Sequence, residues 1–219
     1  MRVAIGQAAL LALAALMGRP GAARADADEA SIEPQVTAGV VSLHDPEGAA
    51  AKRSGFAGAG ARVTWGGSRN WLAWQADGVL GATTSALART TPGADPRRFQ
   101  RGAIVGAVDA GATLRFGEPF GYAMAPTVTV AAGAAFRHYG EAAQFRVSGG
   151  QAAGIAAVTT EVDPVVRVGA GFEARLGRHW LAAVRVDARQ TAGLGSGPAR
   201  ALTITLAASY LWYPRWRTF

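Results

Sequence analysis

Cysteine is absent from this 219-residue chain, which removes disulfide frameworks, thiolate metal sites and cysteine nucleophiles together. Lysine occurs once, at Lys52, so almost all of the 22 basic residues are arginine. Charged residues make up only 17% of the chain, and 10 prolines are too few for a Pro-rich linker protein. Histidine is limited to His44, His138 and His179, and no residues fall at metal-ligand spacing. Long apolar runs are missing too: beyond Met17 no stretch of roughly 18 apolar residues is free of charge, so no membrane-spanning helix is expected there. The glycine pairs at Gly102/Gly106 and Gly169/Gly171 lead into no helix and are read as strand glycines, not phosphate cradles. No cofactor is expected.

What is present is a folding composition, half hydrophobic and rich in glycine, with 29 residues. The N-terminus reads as a secretory signal: a basic Met1-Arg2, an apolar stretch from Val3 to Met17, and the small-x-small site Ala23-Arg24-Ala25. A membrane anchor would need about 20 apolar residues, more than this stretch supplies. Residues 1–25 are therefore assigned to a cleaved signal, 26–33 to a short lead and 34–219 to the folded body. Cleavage removes Arg2, Arg19 and Arg24, which takes the formal charge from 22 − 15 = +7 to 19 − 15 = +4. That balance is ordinary, and no nucleic-acid partner is expected.

The body alternates apolar and polar residues with period two, the signature of half-buried strands. Val166, Val168, Ala170 and Phe172 oppose Arg167, Gly169, Gly171 and Glu173, and Val184 and Val186 oppose Arg185 and Asp187. Eight such segments are found, at about 34–43, 54–65, 71–83, 99–116, 122–138, 157–176, 180–190 and 201–213. Their connections alternate in length. Those at 66–70, 117–121 and 177–179 are short, whereas 44–53, 84–98, 139–156 and 191–200 are long. In an up-and-down barrel successive connections fall on opposite rims, so one rim receives all the short turns and the other all the long loops.

Aromatic residues share this asymmetry. Trp65, Trp71, Phe116, Phe120, Tyr122, Trp180, Tyr210, Trp212 and Tyr213 flank the short turns or the end of the last strand, and Phe56, Phe99, Phe136 and Tyr139 fall near the other rim. Two bands at strand ends fit the aromatic girdles of a membrane barrel. The polar parity would then line the lumen: Arg62, Asp77, Asp109, Arg115, Arg137, Arg167, Glu173, Arg175, Arg185, Asp187 and Arg189, seven arginines to four acids. Val63, Leu72, Val108, Val168, Val184 and Ile204 would face lipid. An eight-stranded interior is just wide enough for side chains to fill, so these charges are expected to form a salt-bridged plug. A soluble lipocalin-like barrel, apolar inside and charged outside, gives the same periodicity with the parity reversed. The single lysine counts against its water-facing surface.

The signal, the eight alternating segments, the loop alternation and the terminal Phe219 resemble the small outer-membrane β-barrel superfamily, with its OmpA-like and lipid A-modifying members, over about 35–219. The resemblance is architectural and rests on no family motif. It implies an all-β, eight-stranded antiparallel up-and-down transmembrane barrel in a Gram-negative outer membrane. It further implies a monomer, surrounded by outer-membrane lipid and inserted by the barrel-assembly machinery. The end of the chain departs from the assembly signal, because counting back by twos from Phe219 meets Arg217 and Arg215, and Pro214 interrupts pairing.

For function, the non-enzymatic reading is an envelope-structural or ligand-presenting barrel with four long external loops and an unknown ligand. The enzymatic alternative is a lipid A deacylase or acyltransferase using His44 or His138 near the external rim. Lipid A deacylases of the barrel type use a His-x-Ser pair with a Glu; here His138-Tyr139-Gly140 and His44-Asp45-Pro46 both lack the serine. His179, in a short turn beside Trp180, reads as interfacial. If the signal reading holds, N-terminal sequencing of protein recovered from the envelope will begin at Asp26; a chain beginning at Met1 would refute it.

Overall fold

The computed structural model describes residues 30–46, 48–66, 72–84, 86–89, 97–116, 124–146, 152–176 and 179–212. The expected signal, Trp71, Phe120, Tyr122, Tyr213 and Phe219 lie outside the described residues, as do the side chains of Arg175 and Trp212. Twelve strands follow one another: β1 (Ala30–Asp45), β2 (Gly48–Trp65), β3 (Leu72–Thr83), β4 (Ala86–Arg89), β5 (Arg97–Arg101), β6 (Ala103–Arg115), β7 (Met124–Tyr139), β8 (Ala142–Arg146), β9 (Ala152–Ala156), β10 (Thr159–Arg175), β11 (Trp180–Thr191) and β12 (Arg200–Trp212). Eight of them close an antiparallel barrel in the order β1-β12-β11-β10-β7-β6-β3-β2. Closure is made by β1 against β12, in register from Ala30↔Trp212 to Ser42↔Arg200. No helix occurs among the described residues.

The period-two pattern acts as the sequence leads one to expect, because a pleated strand sends successive side chains to opposite faces. On β10, Asp163, Val165, Arg167 and Glu173 are buried while Val162, Val168 and Phe172 are exposed. The contrast is large: Val108 is 66% exposed and Arg167 0%. Charge is inside and aliphatic surface outside, which is the reverse of a lipocalin-like barrel.

Three expectations about the connections need correction. The first strand begins at Ala30, four residues before the expected 34, so the N-terminal lead is partly strand. The supposed long loop 44–53 is mostly strand: β1 and β2 stay paired from Leu43↔Lys52 to Asp45↔Gly48, with an irregularity in register between Leu43 and Asp45. The expected loop 139–156 contains the short strands β8 and β9, the expected loop 84–98 contains β4, and β5 runs from that loop into the expected strand 99–116, which is therefore divided into β5 and β6; β4, β5, β8 and β9 form a second antiparallel sheet in that spatial order. Strands this short fall below what alternation can reveal, since two or three residues on each face give no period.

The second sheet has its own small core of Phe99, Ala142 and Ala156. Arg101 fastens it to the barrel. Its guanidinium lies 5.3 Å from the Phe99 ring centroid and 5.1 Å from that of Tyr139, and Nη1 donates to the carbonyls of Gly140 (3.1 Å) and Ala157 (2.8 Å). A guanidinium between two aromatic faces combines cation–π attraction with planar hydrogen bonding, a pairing that lysine does not reproduce. Phe99 and Tyr139 are thus buried and belong to packing inside the molecule, not to an outer girdle.

Arg101→Ala is expected to cost about 1.5–3 kcal/mol locally through lost charge-assisted hydrogen bonds. Hydrogen exchange should show faster exchange in 97–101 and 142–156, with the barrel strands unchanged.

Candidate functional site

The lumen is where the strands bring chemically active side chains together. Arg62 and Asp77 are register partners on β2 and β3, with Nε 2.8 Å from Oδ2. Arg167, from β10, extends to three carboxylates: Nη2 lies 2.7 Å from Asp109 on β6, and Nη1 lies 3.4 Å from Asp77 on β3 and 3.5 Å from Asp187 on β11. Arg189 on β11 comes within 3.6 Å of Asp77 and 3.8 Å of Asp109. β11 and β3 stand on opposite walls of the barrel, so this contact can only pass through the interior.

A second group lies toward the short-turn rim. Arg115 Nε is 2.8 Å from Glu173 Oε2, Arg185 reaches Glu173 at 3.8 Å, and Arg185 also pairs with Glu33, which accepts a hydrogen bond from Ser209 Oγ. Arg62 links the two groups, at 4.0 Å from Glu33. Neutral residues complete the layer: Gln35 Nε2 donates to Asp77 at 3.1 Å, and Thr113 joins Gln75 (3.0 Å) to Thr129 (2.9 Å).

The sequence reading placed Arg62, Asp77, Asp109, Arg115, Arg167, Glu173, Arg185 and Asp187 in the lumen. The structure buries all eight of these in one connected array with Glu33 and Arg189. The expected ratio of seven arginines to four acids omits Glu33, Glu161 and Asp163 and includes Arg175, whose side chain lies outside the described residues. Arg62, Arg115, Arg167, Arg185 and Arg189 meet Glu33, Asp77, Asp109, Glu173 and Asp187, and 5 − 5 = 0. Glu33 falls in the expected lead 26–33, and Glu161 and Asp163 share the parity of Arg167. Buried charges are tolerable only when they are paired and hydrogen-bonded, so neutrality is what the low dielectric requires.

Glycine makes room for this array. Gly169 and Gly171 on β10 are the register partners of Asp187 and Arg185. A methyl group on Gly169 would stand 2.3 Å from Asp187 Oδ1, and one on Gly171 2.7 Å from Arg185 Cγ. The two carboxylate and guanidinium stems cross the space that side chains would otherwise occupy.

Arg137, also expected inside, works at a different level. It pairs with Asp163 and, at 3.0 Å, with Glu161, and Nη1 donates to the Gly197 carbonyl at 3.1 Å. The same acids hold the loop 192–199: Asp163 Oδ1 accepts from Leu194 N (2.7 Å) and Glu161 Oε1 from Ser196 N (2.8 Å). This loop caps the long-loop end of the barrel. Between cap and plug the inward side chains become apolar, with Val41, Leu43, Phe56, Val79, Ala135 and Val165 among them.

The histidines do not assemble a catalytic group. His44 Nδ1 lies 3.2 Å from the Pro198 carbonyl, and His138 Nδ1 lies 2.8 Å from Thr160 Oγ1 on the exposed side. Ser196 Oγ hydrogen-bonds to Glu161 Oε2 at 2.8 Å and to the His44 backbone carbonyl at 3.0 Å, so its partners are a carboxylate and a carbonyl and not an imidazole. Among the described residues no group of three or more His, Asp or Glu could hold a metal ion. His179 stacks on Tyr210 at 5.8 Å, and Trp180 meets the same ring edge-on at 5.4 Å. With Trp65 and Phe116 these rings project outward near the short turns.

The barrel is thus closed and eight-stranded, with an aliphatic exterior and an ion-paired interior. Among solved structures, the chain is similar to Neisserial surface protein A, at 8% identity over 84% of this chain and 97% of that one (TM-score 0.49). It is also similar to Ail, the attachment invasion locus protein of Yersinia pestis, at 14% identity over 84% and 99% (TM-score 0.48). A third is the N-terminal β-barrel domain of Pseudomonas aeruginosa OprF, at 12% identity over 84% and 98% (TM-score 0.45). All three are small eight-stranded outer-membrane barrels, and the likeness is one of fold. No protein-family model matches the sequence, and no curated protein matches it.

Arg167→Met would leave Asp77, Asp109 and Asp187 facing one another without the guanidinium that joins them. Breaking a buried pair from one side costs about 3–5 kcal/mol. Urea unfolding of the protein in detergent should show a loss of that size, while Arg53→Met on the exposed rim should change stability by less than about 0.5 kcal/mol.

Proposed function

We propose that this chain is a non-enzymatic barrel of the Gram-negative outer membrane, plugged along its axis, whose role is played at its long-loop rim. The observation that supports it best is the partition of side chains across the barrel wall. Ile32, Val36, Val63, Leu80, Val108, Val168, Val184 and Ile204, from seven of the barrel strands, are all exposed, and a charge in their place at mid-bilayer would cost about 2–4 kcal/mol. In water this outer surface would be one continuous apolar patch, far larger than soluble monomers expose. In lipid it needs no further explanation. A closed barrel also leaves no unpaired strand edge at membrane depth, which is consistent with a monomer delivered by the barrel-assembly machinery and surrounded by lipid.

The rim then carries the role. At the short-turn end the barrel offers connections of a few residues, whereas at the other end the second sheet adds four strands beyond the barrel wall. That sheet carries Arg97, Arg98 and Arg146, with Arg97 and Arg146 directly opposed in register. A presenting surface at this rim, together with an envelope-stabilising role for the barrel, accounts for the investment in ordered external structure better than catalysis does. The enzymatic alternative lacks geometry: among the described residues the His44 imidazole meets the Pro198 carbonyl and the His138 imidazole meets Thr160 Oγ1, and neither ring meets a serine hydroxyl.

Three measurements test this reading. The protein should fractionate with the outer membrane and require detergent for release; recovery from soluble periplasm would overturn it. In planar bilayers it should show no steady conductance, because the ion-pair array fills the lumen. Mass spectrometry of lipid A from cells with and without the gene should show the same acylation pattern, and an acyl chain gained or lost through His138 would establish the enzymatic alternative instead.

A further inference from the structure

On its outer face, the wall formed by β11, β12, β1 and β2 is graded along its height. The ladders pair Trp180 with Tyr210, Tyr210 with Ile32 and Ile32 with Val63, so these four residues form one outward rung near the short turns. Ten residues along each strand toward the long-loop rim, the same ladders pair Gln190 with Arg200, Arg200 with Ser42 and Ser42 with Arg53. Leucine, isoleucine, valine, alanine, proline and glycine fill every outward position between the two rungs. Ten residues at about 3.3 Å each, on strands tilted by about 40°, rise about 25 Å, the height of the apolar band of an outer-membrane barrel. The second rung is therefore the first polar level of this wall, where lipid headgroups begin.

Its two cations are unlike the other arginines of the barrel strands. Arg62, Arg115, Arg137, Arg167, Arg185 and Arg189 turn into the lumen and pair with acids there. Arg53 and Arg200 are exposed, on the outward parity of Val63 and Leu202, and meet no acid among the described residues. Two strand spacings of about 4.8 Å place their Cα atoms about 10 Å apart, with Ser42 between them, so both side chains can converge on one group above that serine.

We propose that this rung is a binding site for a phosphorylated lipid of the surrounding leaflet, with one phosphate monoester held between Arg53 and Arg200 over the Ser42 hydroxyl. The inference rests on the membrane reading above and gives the barrel a lipid partner of defined chemistry. A phosphate monoester carries about −1.5 to −2 charges near neutral pH, which two guanidiniums balance, and its oxygens match their planar forks. A zwitterionic headgroup offers one negative charge beside a positive one that the arginines repel. Position favours a lipid over a soluble anion. Directly below the arginines stand Val40 and Leu202, 48% and 58% exposed, between the small Ala188 and Gly55. Acyl chains can lie to each side of that low aliphatic ridge, whereas a free phosphate leaves it unused.

The test uses the mature chain folded in micelles of a nonionic detergent, with native mass spectrometry counting bound lipid. The probes are lipid A with its phosphates, the same lipid A dephosphorylated, and inorganic phosphate. One phosphorylated lipid A should be retained at saturation, and the dephosphorylated form should bind at least tenfold more weakly. Arg53→Gln combined with Arg200→Gln should weaken binding of the phosphorylated form at least tenfold and of the dephosphorylated form less than twofold. Arg98→Gln, the same loss of charge on the second sheet, should change neither by more than twofold. Both arginines of the rung are exposed, so the double variant should unfold in urea at the wild-type midpoint. Equal binding of the two lipid forms, binding that survives the double variant, or displacement of the lipid by equimolar inorganic phosphate would overturn the proposal. A chain that folds without detergent refutes the membrane reading and the site together, whereas one that folds only in micelles and gives any of those three results refutes the site alone.

Discussion

Everything else in this molecule depends on how an eight-stranded barrel fills its own interior. The strand number fixes a lumen too narrow to be a water channel and too wide to be left without side chains. The outward parity is aliphatic, so the polarity that the strands carry goes inward. Five arginines and five acids then share a space of low dielectric, where each charge is tolerable only beside its opposite. The array in which Arg167 touches Asp77, Asp109 and Asp187 is the solution found here. Its members come from β3, β6, β10 and β11, so the ion pairs also tie walls that no backbone ladder connects.

The choice of arginine follows from that task. A guanidinium presents its donors in a rigid planar fork and can address several carboxylates at once, whereas an ammonium is a compact, strongly hydrated point charge. Arg167, Arg185 and Arg189 each reach more than one acid, from more than one strand. The single lysine of the sequence, noticeable before any fold is considered, is the compositional trace of this requirement. The small residues opposite are another: Gly169 and Gly171 exist where Asp187 and Arg185 need to cross.

The barrel and its polar lining were legible because both rest on period two, which eight long strands repeat many times. Glu33 lies outside the expected first strand, which begins at residue 34, although Ser31, Glu33, Gln35 and Thr37 continue one polar parity without a break. The second sheet escaped because β4, β5, β8 and β9 are too short to display a period. The inward aliphatic layer is hidden for a different reason. Alternation assigns the apolar parity to one face, and Val41, Val79 and Val165 belong to the other. The signal for it is nonetheless present: Val40-Val41, Val79-Leu80 and Val165-Val166 are points where both parities are apolar, and all lie toward the long-loop ends of their strands. In a membrane barrel, loss of alternation of this kind marks a place where the lumen itself has become apolar.

The ion-paired and aliphatic layers of the lumen differ in the demands of their contacts as well as in polarity. The ion pairs bind opposite walls across the axis, and moving any one of them strands a charge in a medium that cannot solvate it, so that half of the barrel has a single arrangement. Aliphatic contacts carry no such demand, because they are non-directional. The loop above them is bound by hydrogen bonds that water at the rim can replace one at a time. A rigid end and an adaptable end thus follow from one distribution of side chains, and the rim where the barrel meets the second sheet is the end at which change is permitted.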